Sequence, residues 1–157
     1  MHHTKTLAKC LAFAALLFAF SIAAAAGDTC GGESCTATNT CDSPCTVQLS
    51  HSGSALVVKI MINGSLQAVS NYFCVGSGVS MTWQTPDDFF FAKFASSPFT
   101  SAQSTISGST VNVTSTSSVG ATCYSFGAAS CAVSASATSG GCGEHDPRVV
   151  VTGSGPK

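Results

Sequence analysis

The sequence predicts an all-β domain of the sandwich type that is held together by disulfide bonds. After residue 45 the chain repeats short apolar or alternating runs separated by turn residues, which is typical of many short strands. No stretch beyond the leader places apolar residues at helical spacing between capping residues. Nine cysteines occur, and eight remain once the predicted leader is removed, an even number that indicates disulfides in an oxidising compartment.

Residues 1–26 have the three parts of a secretory signal peptide. Lys5 and Lys9 precede an apolar run, no acid interrupts it, and a series of alanines ends it. This order predicts an N-terminal signal helix that is cleaved after Ala26. A retained membrane helix is the alternative, but the run lies at the short end of the roughly 17–25 residues that a span needs. We therefore expect a secreted or periplasmic protein without membrane contact after cleavage.

The mature chain divides into a cysteine-rich lead segment, residues 27–45, and a β-domain, residues 46–157. The lead segment has little large apolar content, so we expect an irregular loop tied by its own disulfides or to Cys142. Each native bridge contributes about 2–4 kcal/mol to stability. Sequence alone does not assign the pairs among the eight cysteines predicted to be oxidised, which are Cys30, Cys35, Cys41, Cys45, Cys74, Cys123, Cys131 and Cys142.

The first half of the β-domain contains the clearest strand patterns. The strongest apolar run ends at Asn63-Gly64, a dipeptide typical of a two-residue hairpin turn. The alternation around Trp83 predicts that this side chain points into the core. Pro86-Asp87-Asp88 is predicted to be a turn. Strands are predicted at 46–50, 55–62, 66–75 and 79–84.

An aromatic strand, 89–94, begins the second half. Its side chains alternate, so either Phe89 and Phe91 or Phe90 and Phe94 lie in the core, and the other pair marks a candidate contact surface. The remaining pattern predicts a proline-containing loop at 96–103, strands at 110–116, 121–126 and 131–138, a glycine-rich loop at 139–144 and a last strand at 147–152.

Four short motifs follow one another between residues 46 and 152. They are Val79-Ser80-Met81-Thr82-Trp83, Ser97-Pro98-Phe99, Thr122-Cys123-Tyr124-Ser125-Phe126 and Asp146-Pro147-Arg148-Val149-Val150-Val151. Their order resembles that of bacterial cupredoxin-like domains that have lost copper. The resemblance implies a Greek-key β-sandwich, in agreement with the strand pattern.

The copper ligands of that family are not preserved in this chain. A blue-copper centre uses two histidines, one cysteine and a weak axial ligand that is usually methionine. Cys123 has no histidine within the next several residues, since His145 lies 22 residues further on, and no methionine occurs after Met81. The mature chain has only His51 and His145. We therefore expect no cofactor.

A different metal site is the alternative. Glu144-His145-Asp146 places an imidazole between two carboxylates, a set that is able to bind copper or zinc, and His51 is a further candidate ligand. No second ligand cluster accompanies these residues. We favour a solvated loop for the Glu144–Asp146 stretch and a surface turn for His51.

The sequence offers little for catalysis, so the protein is predicted not to be an enzyme. Adjacent carboxylates such as Asp87 and Asp88 point apart in a turn, and no G-x-S-x-G nucleophile elbow occurs. A small secreted hydrolase would need one of the two histidines. Without a basic cluster, nucleic acid is not an expected partner. We predict an exported, non-enzymatic binding or structural module for an unknown extracellular ligand or protein.

Overall fold

The computed structural model describes residues 30–132 and 142–153, and within these ranges the chain forms strands and no helix. The predicted leader and most of the predicted 131–138 strand lie outside the described residues. No helix in the described ranges is long and apolar enough to cross a membrane. The strands are β1 (Cys45–Ser52), β2 (Ala55–Ile62), β3 (Ser65–Val69), β4 (Tyr72–Gly76), β5 (Ser80–Gln84), β6 (Phe89–Phe94), β7 (Thr105–Gly108), β8 (Thr110–Thr114), β9 (Ala121–Cys131), β10 (Cys142–His145) and β11 (Arg148–Thr152).

Hydrogen bonds join these strands into one mixed sheet, which confirms the all-β prediction. The main order is β4-β11-β9-β10-β2-β1-β5-β8, while β3 pairs with β2, β6 with β9, and β7 with β6. The sheet folds over on itself, because the ring of Trp83 on β5 contacts Phe73 on β4, Phe94 on β6 and Phe126 on β9. Trp83 is fully buried at the centre of this core, as its alternation predicts.

The hairpin between β2 and β3 follows from its turn residues. Asn63 and Gly64 have φ values of 50° and 74°, the left-handed backbone that a two-residue hairpin turn of this kind requires. Asp42 stabilises the turn, since its carboxylate accepts the backbone N–H groups of both residues at 3.1 and 2.9 Å. The bounds of β2 and β6 are those that the sequence pattern predicts.

Four parts of the predicted strand and loop pattern need correction. The predicted strand at 66–75 is two strands, β3 and β4, and β7 was not expected. The predicted strand at 121–126 continues as β9 to Cys131, and part of the predicted glycine-rich loop forms β10. The reason is the same for β9 and β10: their small residues form strands because β9 pairs with β6 on one side and β10 on the other. Their own β propensity is low.

The disulfides tie the lead segment to the domain. Only Cys41–Cys45 closes within the lead segment; the other bridges are Cys30–Cys123, Cys35–Cys74 and Cys131–Cys142. Of the two alternatives for the lead segment, a bridge of its own is found at Cys41–Cys45, and a bridge to Cys142 is not, because Cys142 pairs with Cys131. Cys142 and Cys131 are directly opposite each other on neighbouring antiparallel strands, so the sheet register itself selects that pair.

The first described part of the lead segment, residues 30–35, lies over one part of the outer sheet face, on the side opposite the main core, whereas Cys41 and Cys45 are buried in the main core. On that outer face, Cys74, Cys123 and Val150 are buried and pack with Cys30 and Tyr72. We call Tyr72, Cys74, Cys123 and Val150 the covered half of the outer face.

Polar contacts reinforce this cover. The hydroxyl of Tyr72 donates to the backbone carbonyl of Ser34 at 3.1 Å. Arg148 Nη1 donates to Glu33 Oε1 at 2.6 Å. The pKa of Glu33 is lowered first by its own backbone N–H and then by the Arg148 hydrogen bond. Both contacts hold the lead segment against the edge of the covered half.

Candidate ligand-binding groove

Three neighbouring strands, β6, β9 and β10, continue the outer face beyond the cover. The outward side chains of β9 are small there, namely Ser125, Gly127 and Ala129, while the residues between them point into the core. The register places Phe91 of β6 on one side of Ala129 and Glu144 of β10 on the other. Because adjacent strands lie about 4.8 Å apart, the β6 and β10 backbones are about 10 Å apart across this low floor.

The floor and its two walls form an open groove of about 680 Å³. Phe91 and Lys93 form the β6 wall, and Glu144, His145 and Asp146 form the opposite wall. A second depression of about 300 Å³ continues along β9 and shares Lys93 and Asp146 with the first. The groove brings an aromatic ring, an ammonium group and two carboxylates to one surface.

Burial shows which pair of phenylalanines on β6 lies in the core. Phe90 and Phe94 are buried in the core, whereas Phe89 and Phe91 are 43% and 41% exposed. The exposed pair is therefore the one that marks a contact surface. Of the two, Phe91 lines the groove and Phe89 does not.

Gly127 makes the floor low at the position of Asp146. The register of β9 with β10 continues unchanged into β11, since His145 pairs with Ala128 and Arg148 with Ser125. Asp146 therefore lies opposite Gly127, and a Cβ atom on Gly127 would lie 3.1 Å from Asp146 Oδ1. We call Phe91, Lys93, Gly127, Ala129, Glu144 and Asp146 the open half of the outer face.

The candidate metal ligands do not all lie together. Glu144, His145 and Asp146 line the groove, but His51 does not. In the described ranges, the group of three potential ligand atoms that come within 4.8 Å of one another belongs to Cys30, Glu33 and Cys123. The sulfurs of that group are joined in a disulfide.

His51 belongs to a polar network on the core side of the sheet. Asp87 Oδ2 accepts the backbone N–H of His51 at 2.9 Å and the hydroxyl of Ser130 at 2.6 Å. His51 Nδ1 is also 2.9 Å from Oδ2, although its N–H is not aligned for a good hydrogen bond. Thr85 Oγ1 lies 2.8 Å from Ser130 Oγ and accepts the Asp87 N–H. The predicted turn at Asp87 therefore also ties β1 to β9.

This network holds Asp87 in its ionised form. Burial of Asp87 favours the protonated carboxyl and so raises its pKa. The hydrogen bonds from Ser130 and His51 outweigh that effect and set the pKa below its ordinary value.

The same geometry does not form a catalytic triad. In a triad the imidazole lies between the serine and the acid and accepts the serine proton. Here Asp87 lies between Ser130 and His51, and Ser130 is fully buried and donates to the carboxylate. These three residues therefore stabilise the fold and do not activate a nucleophile.

The sequence pointed to only some of these residues. Glu144, His145 and Asp146 were identified as a group, and Phe91 as one of two options on its strand. Lys93 and Ser130 carry no local motif. The alternating small residues of β9 are the one signal that predicts a low floor, and they become meaningful only once β9 is known to extend to Cys131.

Comparison with known proteins adds no relative. No protein-family model, no curated protein and no solved structure matches this chain. The function must therefore be inferred from the groove and its surroundings.

Proposed function

We propose that this protein is an exported, non-enzymatic binding module whose ligand lies in the groove of the open half. One observation carries the proposal: the lead segment covers the apolar part of the outer face and leaves the adjacent groove uncovered. Binding sites are concave surfaces with apolar or aromatic area and a few convergent polar groups. Phe91, Lys93, Glu144 and Asp146 provide that combination.

The proposal includes export to the secreted or periplasmic space after cleavage behind Ala26. The four disulfides support it, because such bonds persist in oxidising compartments. N-terminal sequencing of the exported protein checks this part: a mature chain that begins near Gly27 is expected. A leader retained in the exported protein, or reduced cysteines in it, would contradict export by this route.

We also propose that the fold is a Greek-key sandwich related to copper-free cupredoxin domains. Supporting this, all four motifs contribute to one core: Trp83 contacts Phe99 and Phe126 there, and Val149 and Val151 belong to the same buried cluster. Cys123 is bonded to Cys30, so its sulfur is not a thiolate ligand while that bridge is intact. An experimental structure that gives another strand connectivity would reject the relationship.

The experiment for the binding proposal is amide NMR on the mature protein. The panel contains neutral oligosaccharides, oligolysine, a sulfated oligosaccharide, zinc and copper. We expect at least one class to shift the resonances of Gly127 and Ala129 and to leave the turn at Gly64 unchanged. Ala129→Leu, which fills the floor, is expected to abolish the shifts, whereas the matched Ala68→Leu on exposed β3 is not. If no compound shifts the groove resonances, the proposal fails.

A metal-binding function is the second candidate, and one observation favours it. Glu144, His145 and Asp146 line the same groove and are all exposed. The position of His51 beside Asp87 restricts such a site to ligands from the groove. Calorimetric titration with zinc or copper tests it: stoichiometric binding that is lost in His145→Ala and kept in His51→Ala would establish the metal function.

A further inference from the structure

We infer that the groove of the open half binds a neutral carbohydrate chain. This inference rests on the proposed binding function and specifies its ligand. It is carried by three features that occur together: an exposed aromatic ring, a floor without large side chains, and charges of both signs facing each other across that floor.

The aromatic ring gives one face of a sugar a surface to pack on. Phe91 is 41% exposed and stands beside Ala129, whose side chain is a single methyl group. The axial C–H groups of a pyranose form an apolar face, and the electron-rich face of an aromatic ring attracts such polarised hydrogens. The floor at Gly127 and Ala129 leaves the ring room to lie flat between the walls.

The walls carry donors and acceptors suited to hydroxyl groups. Each hydroxyl of a sugar donates one hydrogen bond and accepts others. Glu144 and Asp146 accept from hydroxyls, and the Lys93 ammonium group donates to hydroxyl oxygens. Hydrogen bonds that involve an ionised partner are about twice as strong as neutral ones.

No ion pair within the described residues uses these charged groups. In the described ranges, the side-chain ion pairs within 4.0 Å are His51–Asp87 and Arg148–Glu33. Neither pair involves the charged groups of the groove walls. Lys93, Glu144 and Asp146 therefore have no ion-pair partner among the described residues and are available to a ligand.

The mixed charges of the groove disfavour an acidic ligand and suit a neutral one that both donates and accepts hydrogen bonds. Lys93 pairs with Gly127 across β6 and β9, and Asp146 stands over the same glycine from the other side. A sulfated or acidic ligand would be repelled by Glu144 and Asp146, and the attraction of these two carboxylates for a cationic peptide is reduced by Lys93, which lies across the same floor. A neutral polyol uses both signs without an unpaired charge.

The carboxylates are placed for binding and not for hydrolysis. Glycosidases that use two carboxyl groups place them on either side of the scissile bond. Glu144 and Asp146 both project from the wall at the end of β10. A bound glycan is therefore expected to leave the protein uncleaved.

Calorimetric titration of the mature protein with neutral hexasaccharides of glucose, xylose, mannose and N-acetylglucosamine tests the inference. We expect at least one of them to bind. Phe91→Ala is expected to weaken the affinity for that hexasaccharide by about tenfold. The matched control is Phe89→Ala on the same strand and face, equally exposed but outside the groove, and its affinity should stay within about twofold of wild type. Glu144→Gln and Asp146→Asn should each weaken binding.

The outcomes separate this inference from the proposed function. If oligolysine or the sulfated oligosaccharide shifts the groove resonances and no neutral sugar binds, the binding module stands and the carbohydrate inference is overturned. Sugar binding that is equally sensitive to Phe89→Ala and Phe91→Ala also overturns it, because the site is then elsewhere. If none of the tested compounds binds in the groove, both the proposed binding function and the carbohydrate inference are rejected. New reducing ends after prolonged incubation would reject the non-enzymatic assignment.

Discussion

The covered and open halves of the outer sheet face share the same long strand, yet they differ in what lies over them. In the covered half, Cys74, Cys123 and Val150 are buried beneath a segment held by two disulfides. In the open half, β9 presents Gly127 and Ala129, and charged side chains flank them. The comparison shows that the lead segment covers the apolar side chains of this face, while the small and charged ones remain accessible to water.

The largest effect that tests this comparison concerns the disulfides. Cys30–Cys123 closes a loop of 93 residues, and Cys131–Cys142, at the end of the open half, closes one of 11. In the chain-entropy model, replacing both cysteines of the first pair by alanine costs about 4–5 kcal/mol, and replacing the second pair about 2–3 kcal/mol. Urea unfolding of both double variants measures the difference.

The long-loop variant has a second expected consequence. Without the Cys30–Cys123 bridge the lead segment is no longer tied to β9. The backbone amides of Val150 on β11 and Cys74 on β4 should therefore exchange faster with solvent. If the two double variants lose equal stability, the bridge from the lead segment has no special role in covering this face.

The next largest change in stability is expected from a comparison of one buried position, Val150, with one position in the groove, Ala129. Val150 and Ala129 both point to the outer face, but Val150 is fully buried under the cover and Ala129 is partly exposed in the groove. Val150→Ala is expected to destabilise the fold by about 2 kcal/mol through lost burial and a residual cavity. Ala129→Ser should change stability by no more than about 0.5 kcal/mol. Thermal unfolding of the two variants is the measurement, and similar losses would show that the halves do not differ in packing.

The sequence predicts the parts of this comparison that depend on local pattern. Trp83 and the β6 alternation place the core, and Asn63-Gly64 places a hairpin, because each signal lies within a few residues. The groove was only partly predictable. Its walls come from β6 and β10, which are about fifty residues apart in the chain, and only the register with β9 brings them together. Disulfide pairing is set by the same long-range register.

A third prediction compares the groove with the polar network inside the fold. Ionised Asp87 is stabilised by hydrogen bonds from Ser130 and His51, so its pKa in the folded protein lies below the ordinary value of 3.8. A carboxyl with a lowered pKa contributes stability above its unfolded pKa, and this contribution is lost as the pH falls through the folded value. Asp87→Asn is expected to cost about 1–2 kcal/mol near neutral pH.

The pH dependence checks that assignment. The difference in Tm between wild type and Asp87→Asn should be constant above about pH 5 and should shrink as the pH falls below 3.8. Ser130→Ala removes a donor to the carboxylate, so it should move the acid loss of stability to higher pH. A difference in Tm that is the same at acid and neutral pH would contradict a role for the ionised carboxylate.

The smallest effect is expected at the floor of the groove. Gly127→Ala adds a methyl group 3.1 Å from Asp146 Oδ1. The exposed carboxylate is able to move by the few tenths of an ångström required, so the free energy of unfolding should change by less than about 0.5 kcal/mol. Gly143, on the core side of β10, is the contrasting glycine, because its Cβ would collide with the backbone carbonyl of Ala55. Gly143→Ala should therefore destabilise the protein strongly in the same assay, while Gly127→Ala alters only the NMR resonances of Asp146 and weakens groove ligands. If Gly127→Ala destabilised the fold as much as Gly143→Ala, the floor would be part of the packed structure, and its low profile would reflect packing and not access for a ligand.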